Sequence, residues 1–203
     1  MHRLSHWIAE DSLRSQILTC VAGLHLPDAW VAAGFVRNLV WDRLHEYKTS
    51  TPLTDIDVIY FDSACIDPER DAALERQLKA CIALPWSVKN QARMHTRNGD
   101  LPYHSSLDAM SYWVEVETAL AARLLPTGQV EIASPFTQAG LFNLYVTPNP
   151  KRCKPEAFRQ RQREKGWARQ WSKLQFLPAV DMRLNQPDLE SDRKNCFSNS
   201  NNS

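Results

Sequence analysis

The chain has 203 residues, of which 43% are hydrophobic and 23% are charged, and its net charge is +1 at pH 7. This composition is typical of a globular protein that is long enough to build one domain with a sizeable core. No apolar run approaches the roughly 20 residues that span a bilayer, and residues 1–10 lack the apolar segment of a signal peptide. We therefore expect no membrane span and a cytoplasmic location.

The cysteines give no sign of a zinc or disulfide site. Their number is odd, they are scattered, and no two of them form a C-x-x-C pair. Neither a zinc ribbon nor a disulfide framework is therefore expected. The five positions are Cys20, Cys65, Cys81, Cys153 and Cys196.

The first third of the chain predicts a helix, a strand, a helix and a second strand. Apolar residues recur at the helical period from Ser12 to Gly23, and a short apolar run at 29–33 predicts a buried strand. Gly34 then turns the chain into an amphipathic helix that runs to Tyr47. After a polar loop with a proline, residues 55–61 are rich in β-formers and predict the clearest strand in the sequence.

The next segments continue this alternation. Asp67 and Pro68 are a helix start, with an N-cap residue followed by proline at the first helical position. The pattern then predicts a strand from Trp86 to Met94 and a helix from Asp108 to Leu125. A strand near residues 130–132 and a short helix within 135–150 complete this part.

A basic helix is predicted from Pro155 to Leu174, with Trp167 and Trp171 four residues apart. Lysine and arginine neutralise phosphates and tryptophans stack on bases, so this helix could bind RNA. Alternatively, its tryptophans dock on the domain and its charges face solvent. Residues 178–203 are poor in apolar residues and predict a disordered tail, which leaves 1–177 as a single domain.

The order of these elements predicts the fold class. Strands alternate with helices, but the strands are few and short. A layered α/β or α+β structure, with a small mixed sheet covered by helices, is therefore expected.

Two carboxylates stand at the start of the clearest strand. Side chains alternate along a strand, so Asp55 and Asp57 share one face, with Cα atoms about 6.7 Å apart at a rise of roughly 3.3 Å per residue. Two carboxylates so placed repel each other unless a cation lies between them, and Mg²⁺ prefers such oxygen ligands. Ile56, between them, should point into the core. The pair is a candidate metal site for Mg²⁺ (or Mn²⁺), although an Asp-x-Asp alone is also common in turns.

A glycine turn precedes the helix that comes before this strand. Gly34 permits close approach of a phosphate, and the free N–H groups of the first helical turn favour an anion. Arg37 adds a donor fork for phosphate oxygens, although a cation is disfavoured at a helix N-terminus by itself. A bound polyphosphate would remove that conflict.

These two features together resemble a known superfamily. Residues 33–38, Ala-Gly-Phe-Val-Arg-Asn, are similar to the Gly-Gly-x-Val-Arg-Asp motif of the DNA polymerase beta type nucleotidyltransferases, as in tRNA CCA-adding enzymes, and Asp55-Ile56-Asp57 matches their metal-binding Asp-x-Asp. A bacterial family of nucleotidyltransferase-like proteins within that superfamily is a closer match, through residues 34–42, 55–62, 90–95, 117–119 and 148–150.

The resemblance implies an α+β nucleotidyltransferase fold and divalent-metal-dependent transfer of a nucleotidyl group. It also implies nucleotide contacts from Gly34, Arg37 and Asn38. Asn38 stands where the motif has aspartate, and Ala33 where it has the first glycine.

The main departure from the superfamily pattern is that no third carboxylate is evident. Most members carry it on a neighbouring strand, but the predicted strand at 86–94 has no acidic residue. Glu117 is the candidate that we name, because it falls on the apolar stripe of its predicted helix; the alternative is that the helix boundary is misplaced. Asn90 and Arg93, in a dense polar run, are candidates for contact with the nucleotide or the acceptor, or else pack a strand end against a loop.

The sequence thus leads to three functional hypotheses. The first is an enzyme that transfers a nucleotidyl group from a nucleoside triphosphate to an acceptor, which could be RNA, a small molecule or a protein side chain. The second is a non-catalytic nucleotide- or RNA-binding module on the same fold. The third is a plain interaction protein. No DNA-binding motif is present.

Overall fold

The computed structural model describes residues 2–152 and 154–178. The helices are α1 (His2–Glu10), α2 (Ser12–Ala22), α3 (Gly34–Leu44), α4 (Pro68–Cys81), α5 (Gln91–Asn98), α6 (Ser106–Met110), α7 (Ala139–Phe142), α8 (Pro155–Lys165) and α9 (Trp167–Gln170), with a 3-10 turn at Val116–Thr118. The strands are β1 (Trp30–Ala32), β2 (Ile56–Tyr60), β3 (Trp86–Asn90), β4 (Ala121–Leu124), β5 (Val130–Ala133), β6 (Tyr145–Val146) and β7 (Gln175–Phe176). The expected tail lies, apart from Pro178, outside these residues.

Five strands form one mixed sheet in the order β3-β2-β1-β4-β5. β2 and β3 are parallel, and the other neighbouring pairs are antiparallel. β6 and β7 form a separate two-stranded ladder. The α+β class and the small mixed sheet covered by helices are confirmed.

The sheet has two different faces. Ile56, Val58 and Tyr60 of β2 point into the main core, and Ile56 is completely buried there as expected. Ile59 belongs to a smaller cluster, together with Trp30 and Ala32 of β1. Because side chains alternate along a strand, Asp57 lies on the same face as Ile59, away from the main core.

The strand predicted at 86–94 ends early, at Asn90. The Asn90 side chain accepts a hydrogen bond from the backbone N–H of Ala92 at 3.1 Å and caps α5. The prediction of strand from residue 91 to 94 was therefore wrong. Asparagine at an N-cap satisfies a free N–H of the first helical turn, and here that local bond decides where the strand ends.

The long helix predicted from Asp108 to Leu125 was also wrong. α6 ends at Met110, the 3-10 turn follows, and residues 121–124 form β4. β4 pairs with β1, and Ala121 lies opposite Ala32 at the centre of the sheet. The apolar residues match a helical period by coincidence, because tertiary pairing with β1 outweighs the local pattern.

The two ends of the described chain also differ from the prediction. α1 was not predicted, although Leu4 and Ile8 form a buried stripe at i, i+4. The basic helix is interrupted at Gly166, which takes the left-handed conformation with φ of 61° at the end of α8. Glycine adopts that conformation without steric cost, and the chain restarts as α9.

One disulfide joins Cys20 of α2 to Cys81 at the end of α4. One cross-link among the described residues is not a disulfide framework, but the sequence did not predict this pair. The spacing of Cys20 and Cys81 in the sequence does not predict that they pair, because only the fold brings α2 and α4 together. Within the described ranges, no helix is both long enough and apolar enough to cross a membrane.

Candidate active site

The glycine turn before α3 is held in an unusual conformation. Ala33 has φ of 54° and ψ of −116°, a region that glycine adopts far more easily than alanine. Its N–H donates to the Leu120 carbonyl at 2.9 Å, which ties the turn to the sheet. No side chain caps the helix, so its first N–H groups are available to an anion.

Gly34 lies against Arg37 and Asn38, and a Cβ at this position would make only ordinary van der Waals contacts with them. A Cβ at this position would lie 3.4 Å from Nη2 of Arg37 and 3.6 Å from the amide of Asn38. Arg37 Nε donates to Oδ1 of Asn38 at 3.2 Å. The structure therefore brings Gly34, Arg37 and Asn38 together, as the sequence predicts.

Arg37 is buried between aromatic rings. Its guanidinium carbon lies 4.7 Å from the ring centroid of Trp167 and 5.2 Å from that of Trp41. Burial lowers the pKa of Arg37 to about 10, and the nearby Glu115, Asp55 and Asp57 oppose that shift. The side chain stays protonated at neutral pH, held in place before any ligand arrives.

A cavity of about 300 Å³ opens beside this turn. It is lined by Ala33, Asp57, Val58, Ile59, Ser87, Lys89, Gln91, Met94, Asn98, Tyr112, Trp113, Val114, Glu115, Thr118, Arg152 and Arg161. That volume is at the lower end of small-molecule binding sites. The cavity lies on the face of the sheet that carries Asp57.

The two predicted carboxylates stand where β2 begins. Asp57 is within the strand and lines the cavity, and Asp55 immediately precedes it. Burial first, and then the negative charge of Asp55, raise the pKa of the Asp57 carboxyl. Asp57 receives no hydrogen bond from the described part of the chain, so its charge is opposed only through space, by Arg37, Lys165 and Arg161.

The donor set at Asp55 and Asp57 fits a hard divalent cation. Both are carboxylates, they lie two residues apart at the start of β2, and the half-buried Asp57 accepts no hydrogen bond from the described residues. Among the described residues, however, no group of three His, Cys, Asp or Glu side chains is arranged to hold a metal. Two carboxylates are compatible with a cation that takes its other ligands from substrate phosphates and water.

Glu115 is a third carboxylate of this site, and sequence reasoning missed it. It is completely buried, lines the cavity, and accepts a hydrogen bond from Arg161 Nε at 2.7 Å. Thr118 Oγ1 also donates to it, at 3.1 Å. The sequence does carry a signal, because Glu115 is an acidic residue in a mostly apolar stretch. The incorrect helix prediction for residues 108–125 directed attention to Glu117 instead.

The segment that carries Glu115 is held in place by Asn149. Asn149, between Pro148 and Pro150, donates from Nδ2 to the carbonyls of Ser111 and Trp113, each at 2.7 Å. Asn149 is itself buried. The residues at 148–150 that resemble the bacterial family therefore position one wall of the cavity.

Glu117 lies outside the cavity lining. Its carboxylate accepts from the N–H of Thr147 at 2.7 Å and from the Thr147 hydroxyl at 2.8 Å, and a Cβ on Gly140 would collide with it. Burial raises the pKa of Glu117, and the Thr147 hydrogen bonds oppose that shift. The geometry gives Glu117 an anchoring position and provides no support for a catalytic one.

Asn90 and Arg93 also lie away from the carboxylate pair. The Asn90 side chain accepts from the N–H of Asp62 and donates to the carbonyls of Asp62 and Cys65. Arg93 forms an ion pair with the buried Asp71. Neither side chain lines the cavity, so the geometry does not support the nucleotide contacts predicted for them.

The basic segment docks through its tryptophans. Trp167 and Trp171 are buried, and their rings meet Trp41 of α3 edge-on at centroid distances of 5.7 and 5.0 Å. Trp171 Nε1 donates to Asp42 at 2.8 Å. Of the two interpretations of this segment, docking is confirmed, and the docked helix brings two of its cations to carboxylates of the site. Lys165 Nζ lies 3.4 Å from Asp55 Oδ2, and Arg161 binds Glu115.

Comparisons with known proteins agree with this geometry. A family model described as "Nucleotidyltransferase" matches residues 19–176. A solved structure described as "The NMR structure of the protein reveals a CCA-adding enzyme head domain" is 32% identical, with a TM-score of 0.78, over 88% of this chain and 96% of that one. The comparison with curated proteins gives no match.

A more distant structure, the Thermotoga maritima CCA-adding enzyme complexed with tRNA, shares the fold. Its identity is 14% and its TM-score is 0.51, over 89% of this chain. This chain spans 43% of the length of that enzyme.

Proposed function

Because this chain belongs to the nucleotidyltransferase family, we propose that it transfers a nucleotidyl group from a nucleoside triphosphate to an acceptor hydroxyl. The observation that carries the proposal is the position of Asp57, a half-buried carboxylate close to Asp55 that lines the cavity next to the α3 turn. Family membership supports nucleotidyl transfer in general; the cation, the nucleotide and the acceptor are parts of the proposal.

Asp55 and Asp57 would hold Mg²⁺ or Mn²⁺. A bound divalent cation would neutralise phosphate charge and promote ionisation of the attacking hydroxyl. The chain itself has to supply carboxylates that are not permanently paired with a cation. The exposed pair between Asp55 and Lys165 meets that condition, because it is easily exchanged.

The α3 turn binds phosphate in this proposal. The first N–H groups of the helix and the guanidinium of Arg37 both favour an anionic ligand such as phosphate. Gly34 adds no side chain that would stand between the ligand and these groups. Arg37 needs little reorganisation, because Trp41 and Trp167 already hold it. Positioning and charge stabilisation are the main sources of rate enhancement in such transfers.

The transfer balances as follows. The acceptor oxygen forms a bond to the α-phosphorus, the bond from that phosphorus to the β-bridging oxygen breaks, and pyrophosphate leaves. The hydroxyl proton passes to a carboxylate. We propose Glu115 for that role in place of Glu117, since Glu115 lines the cavity and Glu117 is engaged by Thr147.

The hydroxyl at an RNA end is the acceptor to test first. The proposed location of the reaction is the cytoplasm. The relative with 32% identity is described as a CCA-adding enzyme head domain, and this chain covers 96% of it. A small molecule and a protein side chain remain the other acceptor classes for a screen.

The test is release of pyrophosphate from each nucleoside triphosphate, with Mg²⁺ or Mn²⁺ and a panel of acceptors. Asp55→Asn and Asp57→Asn should each lower the rate by at least about a hundredfold, because each removes a charge at the reacting phosphate. Asp67→Asn is a control at an exposed helix cap outside the cavity lining. Turnover that both site variants leave intact would sink the proposal.

A non-catalytic nucleotide-binding module is the second candidate. One observation favours it: β3 places Ser87 and Lys89, not a carboxylate, beside Asp57 and Ile59 of β2. Triphosphate binding without turnover, unchanged when EDTA removes divalent cations, would select this alternative.

A further inference from the structure

Two cations of α8, Arg161 and Lys165, lie one helical turn apart and reach two different carboxylates of the site. Arg161 Nε is 2.7 Å from Glu115, and Lys165 Nζ is 3.4 Å from Asp55. We propose that these two side chains bind the β- and γ-phosphates of the nucleoside triphosphate, exchanging their carboxylate partners for phosphate oxygens. That the ligand is a nucleoside triphosphate rests on the proposed function. That the ligand carries a polyphosphate is argued from the two cations of α8.

The pair between Lys165 and Asp55 is built to be exchanged. The Lys165 side chain is 40% exposed and the Asp55 side chain 44% exposed, so water screens their attraction. A lysine ammonium on a flexible stem changes partner readily. A phosphate with a larger negative charge, at the same edge of the cavity, would attract it more strongly than one carboxylate does.

Arg161 offers more than charge. Its side chain lines the cavity, and Nε is the atom that contacts Glu115. The planar fork of arginine binds phosphate oxygens in a bidentate manner, which fixes direction as well as charge. Moving this fork onto a phosphate leaves the carboxylate of Glu115 free to accept the hydroxyl proton.

The charges of the site favour such an exchange. Three carboxylates, Asp55, Asp57 and Glu115, face three cations, Arg37, Arg161 and Lys165, and each of the six contributes to the electrostatics at Arg37 or Asp57. This group is balanced without a ligand. If the aspartates hold a divalent cation, Lys165 is repelled from them, and the triphosphate offers it a new partner.

The alternative is that both ion pairs merely hold α8 in place. Other contacts already do so: Phe158, Trp167 and Trp171 are buried, and Trp171 is hydrogen-bonded to Asp42. Exposed ion pairs add little to such packing. Loss of Lys165 should therefore leave the melting temperature unchanged, so the binding of tripolyphosphate is the measurement that distinguishes the two interpretations.

The experiment measures binding, not turnover. The probes are inorganic tripolyphosphate and the four nucleoside monophosphates, each titrated in Mg²⁺ into the full chain as wild type, Lys165→Ala, Arg161→Lys and Arg163→Ala. Arg161→Lys keeps a positive charge beside the buried Glu115 and removes the fork. Arg163 is the matched control, since it lies on the same helix and forms no ion pair with the described residues.

We expect Lys165→Ala and Arg161→Lys each to weaken tripolyphosphate binding by about tenfold, the usual scale for one charge-assisted hydrogen bond. Monophosphate binding and the melting temperature should stay at the wild-type level, and Arg163→Ala should match wild type throughout. Equal tripolyphosphate affinity in all four proteins, or no tripolyphosphate binding by wild type, would overturn the inference.

Failure of this inference and failure of the proposed function give different results. If the chain binds tripolyphosphate through Arg161 and Lys165 but transfers no nucleotide, the inference stands and the enzyme proposal fails. If Asp57→Asn abolishes transfer while Lys165→Ala and Arg161→Lys bind tripolyphosphate as wild type does, the enzyme proposal stands and the inference fails.

Discussion

Ser87 is the register partner of Asp57 on the neighbouring parallel strand. Both residues line the cavity, so the two side chains stand next to each other on one face of the sheet. Ser87 therefore places a hydroxyl, not a carboxylate, beside Asp57 on this neighbouring strand, and the third carboxylate of the site comes from Glu115.

Ser87→Asp should strengthen metal binding at the site. A new carboxylate beside Asp57 gives a divalent cation another oxygen ligand, so we expect Mg²⁺ affinity to rise by about tenfold or more, and the transfer rate with it. In EDTA the same substitution should lower the melting temperature, because it adds a like charge. Ser87→Ala is the control and should leave Mg²⁺ affinity unchanged. A Ser87→Asp protein whose melting temperature does not change when Mg²⁺ is added would contradict the prediction.

Asp57→Asn should stabilise the metal-free protein at neutral pH. Burial and Asp55 raise the pKa of Asp57 above its ordinary value of 3.8, so the folded state binds this proton more tightly than the unfolded state. The stability from that proton is fully present below pH 3.8 and is lost as the pH rises through the raised pKa. In EDTA, the melting temperature of Asp57→Asn should therefore exceed that of wild type at pH 7, and the difference should shrink toward pH 3.5.

Asp62 provides a control of opposite sign. Its hydrogen bond from Arg70 holds the pKa of Asp62 below the ordinary value, so its contribution is present at neutral pH and lost on acidification. Asp62→Asn should lower the melting temperature at pH 7. If both variants shift in the same direction, the electrostatic account of Asp57 is wrong.

Ala33→Gly should stabilise the fold by about 1 kcal/mol. The φ of 54° at Ala33 is strained for a residue with a Cβ, and glycine removes that strain. For a chain of this size the melting temperature should rise by about 2–4 °C. Ala32→Gly, in the regular strand next to it, should instead lower stability by roughly 1 kcal/mol, since glycine is unfavourable in a strand. Equal losses in both variants would show that the Ala33 turn is unstrained.

The disulfide between Cys20 and Cys81 should make stability depend on redox conditions. It joins residues 61 positions apart, and the loop-entropy model assigns such a cross-link about 4 kcal/mol. Dithiothreitol should lower the melting temperature of wild type by about 10 °C, a value that Cys20→Ser should show without reductant. Cross-links are rare in reducing cytosol, so the cytoplasmic expectation predicts that the reduced form is the working one. Identical melting with and without dithiothreitol would contradict the cross-link.

Local signals were sufficient for the elements that build the phosphate turn and the aspartate strand. Asp67 and Pro68 start a helix through their own backbone preferences, and the side chain of Asp67 accepts from Glu69 N–H as its type predicts. Gly34, Arg37 and Asn38 are neighbours along one helix, so their spacing alone brings them together. Asp57 is likewise placed by strand alternation, and Asp55 stands just before the strand.

The remainder of the site depends on contacts between distant segments, which a single sequence does not encode locally. Glu115 becomes a site residue only because Asn149 fixes its segment and α8 supplies Arg161. Lys165 comes to Asp55 across 110 residues. The period of the apolar residues in 108–125 was misleading for the same reason, since the pairing of β4 with β1 decided the structure.

The hydrogen bond between Asp42 and Trp171 has a consequence for synthesis of the chain. Its two residues are 129 positions apart, and Trp171 belongs to the aromatic cluster that encloses Arg37. A ribosome releases the five strands of the main sheet well before it releases Trp171. The sheet can therefore form on the nascent chain, whereas its cleft gains its last wall, and with it Arg161 and Lys165, only when translation of the described region is nearly finished.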